Sequence, residues 1–472
     1  MTSDDLAALR EALLEAGFTV DGVAEALGVE ASAALARGER VPARRAATKA
    51  GPLGALIRCF VLGDDVDPGE LPRGEYGDLL EGGCATVDLR PYAEADGEPW
   101  FVVSDRTDGG TVKRADHVLG VGGASTMLAH ATVRPAGARS LDIGTGCGVQ
   151  ALHLSRHSTS VVATDLNPRC LDLARLTFAL SGITEVDLRE GDLFAPVTGE
   201  QFDVVVANPP FVIGGQSVVG SRAFTYRDSG LVGDELSRRV IDGAAAHLAK
   251  GGTATVLANW LHVRGEDWQQ RVADWLAPTG CDAIALQREV QDPSEYVGTW
   301  LRDVGRDLSE DEYAAWLDRL SALEAEAIGF GLVVLRRTGA AVPRVVVEDA
   351  PEPGLPPLAP YLGARLDALD LLRGEVDLGS LRPVLAPALL DVLAVQGDLG
   401  WVEVARTLRL AGAGIATEVE LDEAGAALLA GCNGEHSLDQ LADVLASLGV
   451  ERQAVLASAT ELLLRGVLRR TR

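Results

Sequence analysis

Between Ser140 and Val149 the chain reads Ser-Leu-Asp-Ile-Gly-Thr-Gly-Cys-Gly-Val, an apolar strand running into a turn with glycine at every second position, Gly144, Gly146 and Gly148. No other segment constrains the fold as strongly. Glycine lets a backbone turn sharply and approach a ligand closely, and the helix that follows offers free N–H groups at its start. From Asp116 to Leu335 strand-like and helix-like segments alternate. That alternation is the pattern of a parallel, doubly wound sheet with helices on its faces.

Two carboxylates extend the pattern. The strand Ser160-Val-Val-Ala-Thr-Asp165 ends in an acid 23 residues after Asp142. In a fold of this kind an acid at the second strand tip accepts hydrogen bonds from ribose hydroxyls. A third strand near Val186–Arg189 leads to Glu190-Gly-Asp-Leu-Phe194, which puts Asp192 at its tip, where it can accept from an adenine amino group or serve as an ordinary turn residue. The fourth strand ends in Asn208-Pro-Pro-Phe211. Two successive prolines stop the ladder and fix the backbone, leaving the Asn208 side chain and the Pro209 carbonyl as a polar clamp. Two hydrogen bonds from a planar amino or amide nitrogen to those oxygens favour the sp³ geometry that attacks a methyl group. Phe211 can stack on the flat acceptor.

Taken together, Asp142, Gly144, Gly146, Gly148, Asp165, Asp192 and Asn208-Pro209-Pro210-Phe211 resemble the class I S-adenosylmethionine-dependent methyltransferases. The resemblance is to their amino-methyltransferase branch, with N6-adenine, rRNA guanine and release-factor glutamine enzymes, and it covers residues 116–337. It implies a Rossmann-like seven-stranded sheet with a reversed last strand: Gly252–Ala258 as strand five, Asp282–Leu286 as six and Phe330–Arg336 as seven. It also implies that Gly144 and Gly146 flank the methionine part of S-adenosylmethionine, that Asp165 holds the ribose and that Asp192 and Leu193 contact the adenine, with Thr145 and Leu166 also among the cofactor-binding residues. The segment His117–Thr126 occupies the place of a loop over the cofactor's amino-acid end, where Gly122 suits close approach. It lacks the Pro-Arg-Pro-Glu-Thr stretch of the glutamine enzymes. Phe224–Leu231 resembles a segment of those same enzymes, which puts Tyr226 and Arg227 near the substrate mouth.

The flanks are expected to form separate modules: an N-terminal helical, winged-helix-like domain over 1–115, the methyltransferase domain over 116–340, a Pro-rich linker over 341–363 and a C-terminal winged-helix-like domain over 364–472. The segment between strands six and seven reads as a helical pair. Six scattered cysteines and seven histidines show no metal-ligand spacing. The start lacks the features of a signal peptide and no apolar run has membrane-spanning length, so a cytoplasmic protein with no metal and no membrane partner is expected. The 42 Lys+Arg against 69 Asp+Glu give a net charge of −27, spread through the chain. Such a chain repels phosphate backbones at long range, which favours a protein or ribonucleoprotein acceptor over naked duplex DNA. A nicotinamide dehydrogenase is disfavoured because Val149 stands where the third glycine of its turn belongs. A non-catalytic S-adenosylmethionine-binding regulator and a small-metabolite methyltransferase are the alternative readings.

Overall fold

The structure is a computed structural model that describes residues 1–94, 97–107, 114–210, 212–213, 231–303, 310–350, 358–373, 377–397, 400–410 and 418–470. Its centre is an eight-stranded sheet, whose strands we number β1 (Ala138–Ile143), β2 (Ser158–Asp165), β3 (Val186–Glu190), β4 (Phe202–Ala207), β5 (Leu248–Val263), β6 (Asp282–Gln291), β7 (Ala325–Arg336) and β8 (Val345–Asp349). They lie in the order β8-β6-β7-β5-β4-β1-β2-β3. Strand β7 alone runs against its neighbours β5 and β6; all other pairings are parallel. The first seven strands have the topology anticipated from the resemblance, although β5, β6 and β7 are longer than the sequence pattern suggested.

The eighth strand falls inside the stretch read as a linker. Its Val345-Val-Val run pairs with Ala283–Ala285, and the Arg344 amide donates to Asp282 at 2.8 Å. A β-branched run next to an open strand edge extends the sheet whatever prolines follow it. The helix Ala359–Leu371 then crosses residue 363, the end of the anticipated linker, and lays Tyr361, Leu362, Leu366 and Leu369 on Ile284, Leu286, Leu332 and Val334 of the sheet.

The N-terminal segment has the anticipated order of helices (Ser3–Glu15, Val20–Ala36, Arg40–Ala47) followed by a hairpin, Asp88–Tyr92 with Trp100–Ser104. A wing would project into solvent, whereas all five residues of Trp100–Ser104 are buried. The strand edge donates to hydroxyls on the helix Pro168–Leu180 and its cap, Val103 N–H to Thr177 at 2.9 Å and Phe101 N–H to Ser181 at 3.0 Å. One apolar core therefore runs from Leu9 and Phe60 through Phe101 to Leu173 and Phe178. At the other end, helices Glu423–Leu429, Leu438–Ser447 and Arg452–Leu464 enclose their own core. Before them in the chain stands a hairpin, Ala388–Gly397 with Gly400–Leu410, to which Glu418–Glu420 adds a third strand.

A buried arginine ties this module to the sheet. Arg365, 2% exposed, donates to the Leu464 carbonyl at 2.7 Å, to the Tyr361 hydroxyl at 3.2 Å and to the Glu348 carboxylate of β8. Removing one partner of such a pair leaves a desolvated charge behind. Arg365→Ala is expected to lower unfolding stability by ~3–5 kcal/mol in urea titrations, and a loss below ~1 kcal/mol would show that the tie contributes little.

Candidate active site

The side chains singled out between Asp142 and Pro210 gather on one edge of the sheet because β1, β2, β3 and β4 are parallel and end together. Asp165 pairs with Glu190 across β2 and β3, and Ile143 pairs with Thr164 on one side and Ala207 on the other. The turn after β1 is folded onto the tip of β2. The Gly144 and Thr145 amides donate to the Thr164 carbonyl, each at 2.9 Å, and the Gly146 amide donates to Asp165 Oδ2 at 2.9 Å. The other oxygen, Asp165 Oδ1, accepts the Asn167 amide at 2.9 Å. Asn167 in turn caps the following helix by accepting from the Arg169 amide at 3.0 Å, with Pro168 at the first helical position.

Gly144 and Gly146 have φ of 69° and 57°, and a Cβ added at either would meet nothing within 4 Å. The turn therefore has open space along its outer side. Gly148 differs: a Cβ there would lie 2.8 Å from the Phe178 ring, so helix packing demands this glycine. Asp142 is 1% exposed; its Oδ2 accepts the Thr145 hydroxyl at 2.7 Å and the Ala151 amide at 3.1 Å, while its Oδ1 is buried without a partner. Burial pushes its carboxyl up to about 7 against those two hydrogen bonds. Burial also raises Asp165. At the third tip Asp192 is exposed, and Leu193 holds a left-handed backbone with φ of 44°, a local strain at the site. Leu166 is 57% exposed beside Asp165, unusual for a leucine at a strand tip.

Asn208 is half-buried, and its carboxamide makes no hydrogen bond to protein among the described residues. Pro209 is buried and Pro210 half-buried. Phe211, Tyr226 and Arg227 lie outside the described residues. The chain beyond the prolines is held by the helical pair between β6 and β7, Pro293–Asp303 and Glu310–Ala322. Tyr296 Oη accepts the Ile213 amide at 2.7 Å, and Trp316 Nε1 donates to the Ile213 carbonyl at 2.9 Å. The segment before the helix Gly123–Ala131 is also pinned: Asp105 accepts the Val118 amide at 2.9 Å and pairs with Arg169, and Gly122 starts the helix with open space at its Cα. Asn259, Trp260 and His262 are satisfied packing residues, with Trp260 and His262 both bonded to Gln287.

A cavity of about 710 Å³ opens between the helix Gly123–Ala131 and the strands β5, β6 and β7. Ala207 pairs with Val256, so the lining residues Leu257 and Ala258 stand at the level of Asn208. Met127, His130, Arg288 and Phe330 close it, and burial lowers the Arg288 guanidinium from its ordinary value. Sequence reading missed these residues because they come from four separate segments and belong to no motif.

A sheet of this order, with the glycine turn after β1 and acids at the next two tips, defines a class I S-adenosylmethionine-dependent methyltransferase domain. Residues 120–266 match the model of the methyltransferase small domain. Residues 15–93 and 365–470 match two domains of unknown function, DUF7059 and DUF7782. A release factor glutamine methyltransferase of Xylella fastidiosa (strain Temecula1) is 30% identical over 192 residues, 38% of this chain and 64% of the relative. A ribosomal RNA small subunit methyltransferase C of Enterobacter sp. (strain 638) is 30% identical over 221 residues, 44% of this chain and 59% of the relative. Among solved structures, a 16S rRNA methyltransferase of T. thermophilus in complex with AdoMet and guanosine is 15% identical, covers 53% of this chain and 50% of that one, and has a TM-score of 0.30. The chain thus spans less than two thirds of the length of these relatives.

The Asp142 carboxyl offers a test of the site's electrostatics. Folding raises it from its ordinary value of 3.8. The group therefore favours the fold below about pH 4, and that contribution is lost as pH rises through about 7. Asp142→Asn can still accept from Thr145 and Ala151 but carries no charge. Its melting temperature relative to the parent is expected to climb between pH 4 and pH 7 and then level off; a constant difference across that range contradicts the buried charge.

Proposed function

We propose that the protein is an S-adenosylmethionine-dependent N-methyltransferase that acts on a planar amino or amide nitrogen of a macromolecule, either a base in RNA or a glutamine side chain. What supports this reading is the Asn208 carboxamide, which has no hydrogen-bond partner among the described residues and follows β4 where Ala207 is flanked by Ile143 of β1 and by Val256, next to the cavity-lining Leu257. The residues present fit the cofactor. The open side of Gly144 and Gly146 gives its methionine part a backbone to lie against, Asp165 retains lone pairs for ribose hydroxyls, and exposed Leu166 and Asp192 with half-buried Leu193 suit the adenine. The buried, unpartnered Asp142 Oδ1 is a further acceptor in this turn. Bound there, S-adenosylmethionine supplies an electrophilic methyl group.

The chain's own groups do the rest. Asn208 Oδ1 and the Pro209 carbonyl accept the two N–H groups of the incoming nitrogen, a bonding pattern that is strongest as the nitrogen becomes tetrahedral. Pro209 and Pro210 fix those oxygens without further side-chain support. Phe211, outside the described residues, supplies by its residue type an aromatic ring for stacking on a flat acceptor. The proton leaves after transfer, so the mechanism needs no strong base. The two relatives named above act on a release factor glutamine and on ribosomal RNA, and the shared requirement is a flat nitrogen.

Asn208→Ala separates binding from catalysis. Its affinity for S-adenosylmethionine in calorimetry is expected to stay within a few-fold of the parent, while methyl transfer falls by ~10²-fold or more. Unchanged turnover would remove Asn208 from the mechanism.

A further inference from the structure

At the opposite edge of the sheet the molecule has a second, larger opening. A cleft of about 1370 Å³ lies between the sheet and the C-terminal module, where β5 begins, β7 ends and the chain enters β1. Six cations line it: Arg134, Lys250, Arg336, Arg373, Arg469 and Arg470, against two acids, Asp367 and Asp370. In a chain of net charge −27 this is a local reversal of sign.

Three of the six are engaged. Arg336 pairs with Asp367 at 2.7 Å and Asp370 at 3.2 Å, Arg373 with Asp282 and Asp370, and Arg134 with Glu94 at 3.7 Å. The side chains of Lys250, Arg469 and Arg470 have no ion pair or hydrogen bond among the described residues. Two nitrogens, Arg469 Nε and Arg134 Nη1, are buried without a partner. A buried guanidinium nitrogen left unbonded costs free energy that an oxyanion recovers.

We propose that this cleft binds the phosphate backbone of an RNA and docks a large acceptor away from the chemistry. The free cations come from separate segments, the start of β5 and the last strand Leu468–Arg470, and line a space several times larger than a single phosphate needs. A polymer with a permanent charge on every unit fits such a spread, and guanidinium forks match phosphate oxygens. The acidity of the rest of the surface does not cancel the patch, because at physiological salt charges farther than ~8 Å are largely screened. Lys250 stands seven residues before Leu257, which is level with Asn208, so the cleft lies roughly 20 Å from the transferred methyl at ~3.3 Å per residue. Docking there anchors the acceptor and leaves the base or amide pocket free.

The test reads RNA binding directly, so it stands or falls apart from methyl transfer. Anisotropy of a labelled mixed-sequence RNA hairpin is measured over a salt series with the full chain, with Lys250→Ala/Arg469→Ala/Arg470→Ala, and with Asp367→Asn, which removes one of the two carboxylates paired with Arg336 and one negative charge from the cleft. The triple variant, with an unchanged melting temperature, is expected to bind roughly tenfold or more weakly with a shallower salt slope, by about 0.7–0.9 per lost phosphate contact. Asp367→Asn is expected to bind more tightly. Equal binding by the triple variant, or no salt-dependent binding by the parent, overturns the proposal. Displacement of RNA by polyglutamate at lower concentration than by unlabelled RNA overturns it in favour of an acidic protein, and saturation by pyrophosphate alone overturns it in favour of a small phosphorylated ligand.

Discussion

The whole site depends on the hydrogen bond between the Gly146 amide and Asp165 Oδ2, which closes the turn after β1 onto the tip of β2. Strand β1 lies where the strand order reverses, with β2 on one side and β4 on the other. At such a point the crossovers leave in opposite directions and a crevice opens beyond the strand ends. The parallel register brings Asp165 and Asn208 to the two sides of that crevice. Because side chains alternate along a strand, a slip of one residue in β4 would turn its buried face outward and displace Asn208 with it.

The flanking segments reinforce this arrangement. The N-terminal hairpin is bonded to Thr177 and Ser181 on the helix that starts at Asn167, so the β2 tip rests on a helix braced from outside. Tyr296 and Trp316 grip the Ile213 peptide from both of its polar ends and fix the exit of the chain from Asn208-Pro-Pro. Arg365 links β8, the helix Ala359–Leu371 and the C-terminal helix Arg452–Leu464. The two terminal regions are thus built into the scaffold of the site through buried polar contacts.

The strand-tip acids could be read from the sequence because each is a local signal, a strand followed within a few residues by its functional turn, whereas the reversed last strand came from the family resemblance those signals carry. Asn208-Pro-Pro is local in the same way. The role of Gly148 was misplaced: spacing groups it with Gly144 and Gly146, and only the Phe178 ring from a distant helix shows that packing requires it. The proline content of 341–363 hid β8 and the start of a helix, although Val345-Val-Val carried the strand signal. The cavity beside the helix Gly123–Ala131 and the basic cleft were beyond sequence reading. Arg134, Lys250 and Arg470 are separated by more than a hundred residues each, and their meeting is a property of the fold.

Net charge alone argued against a phosphate-bearing partner, yet the charge is not distributed evenly in space. A chain of net charge −27 carries a cleft lined by six cations and two acids, so long-range repulsion and short-range attraction act on the same ligand at different distances. The central claim concerns the atom that receives the methyl group. Protein incubated with methyl-labelled S-adenosylmethionine and an extract of cells lacking it should place the label on nitrogen, recovered as a methylated amino group of a base or as methylated glutamine amide after hydrolysis. Label on carbon or oxygen, or no macromolecular label with cofactor bound, would contradict the account.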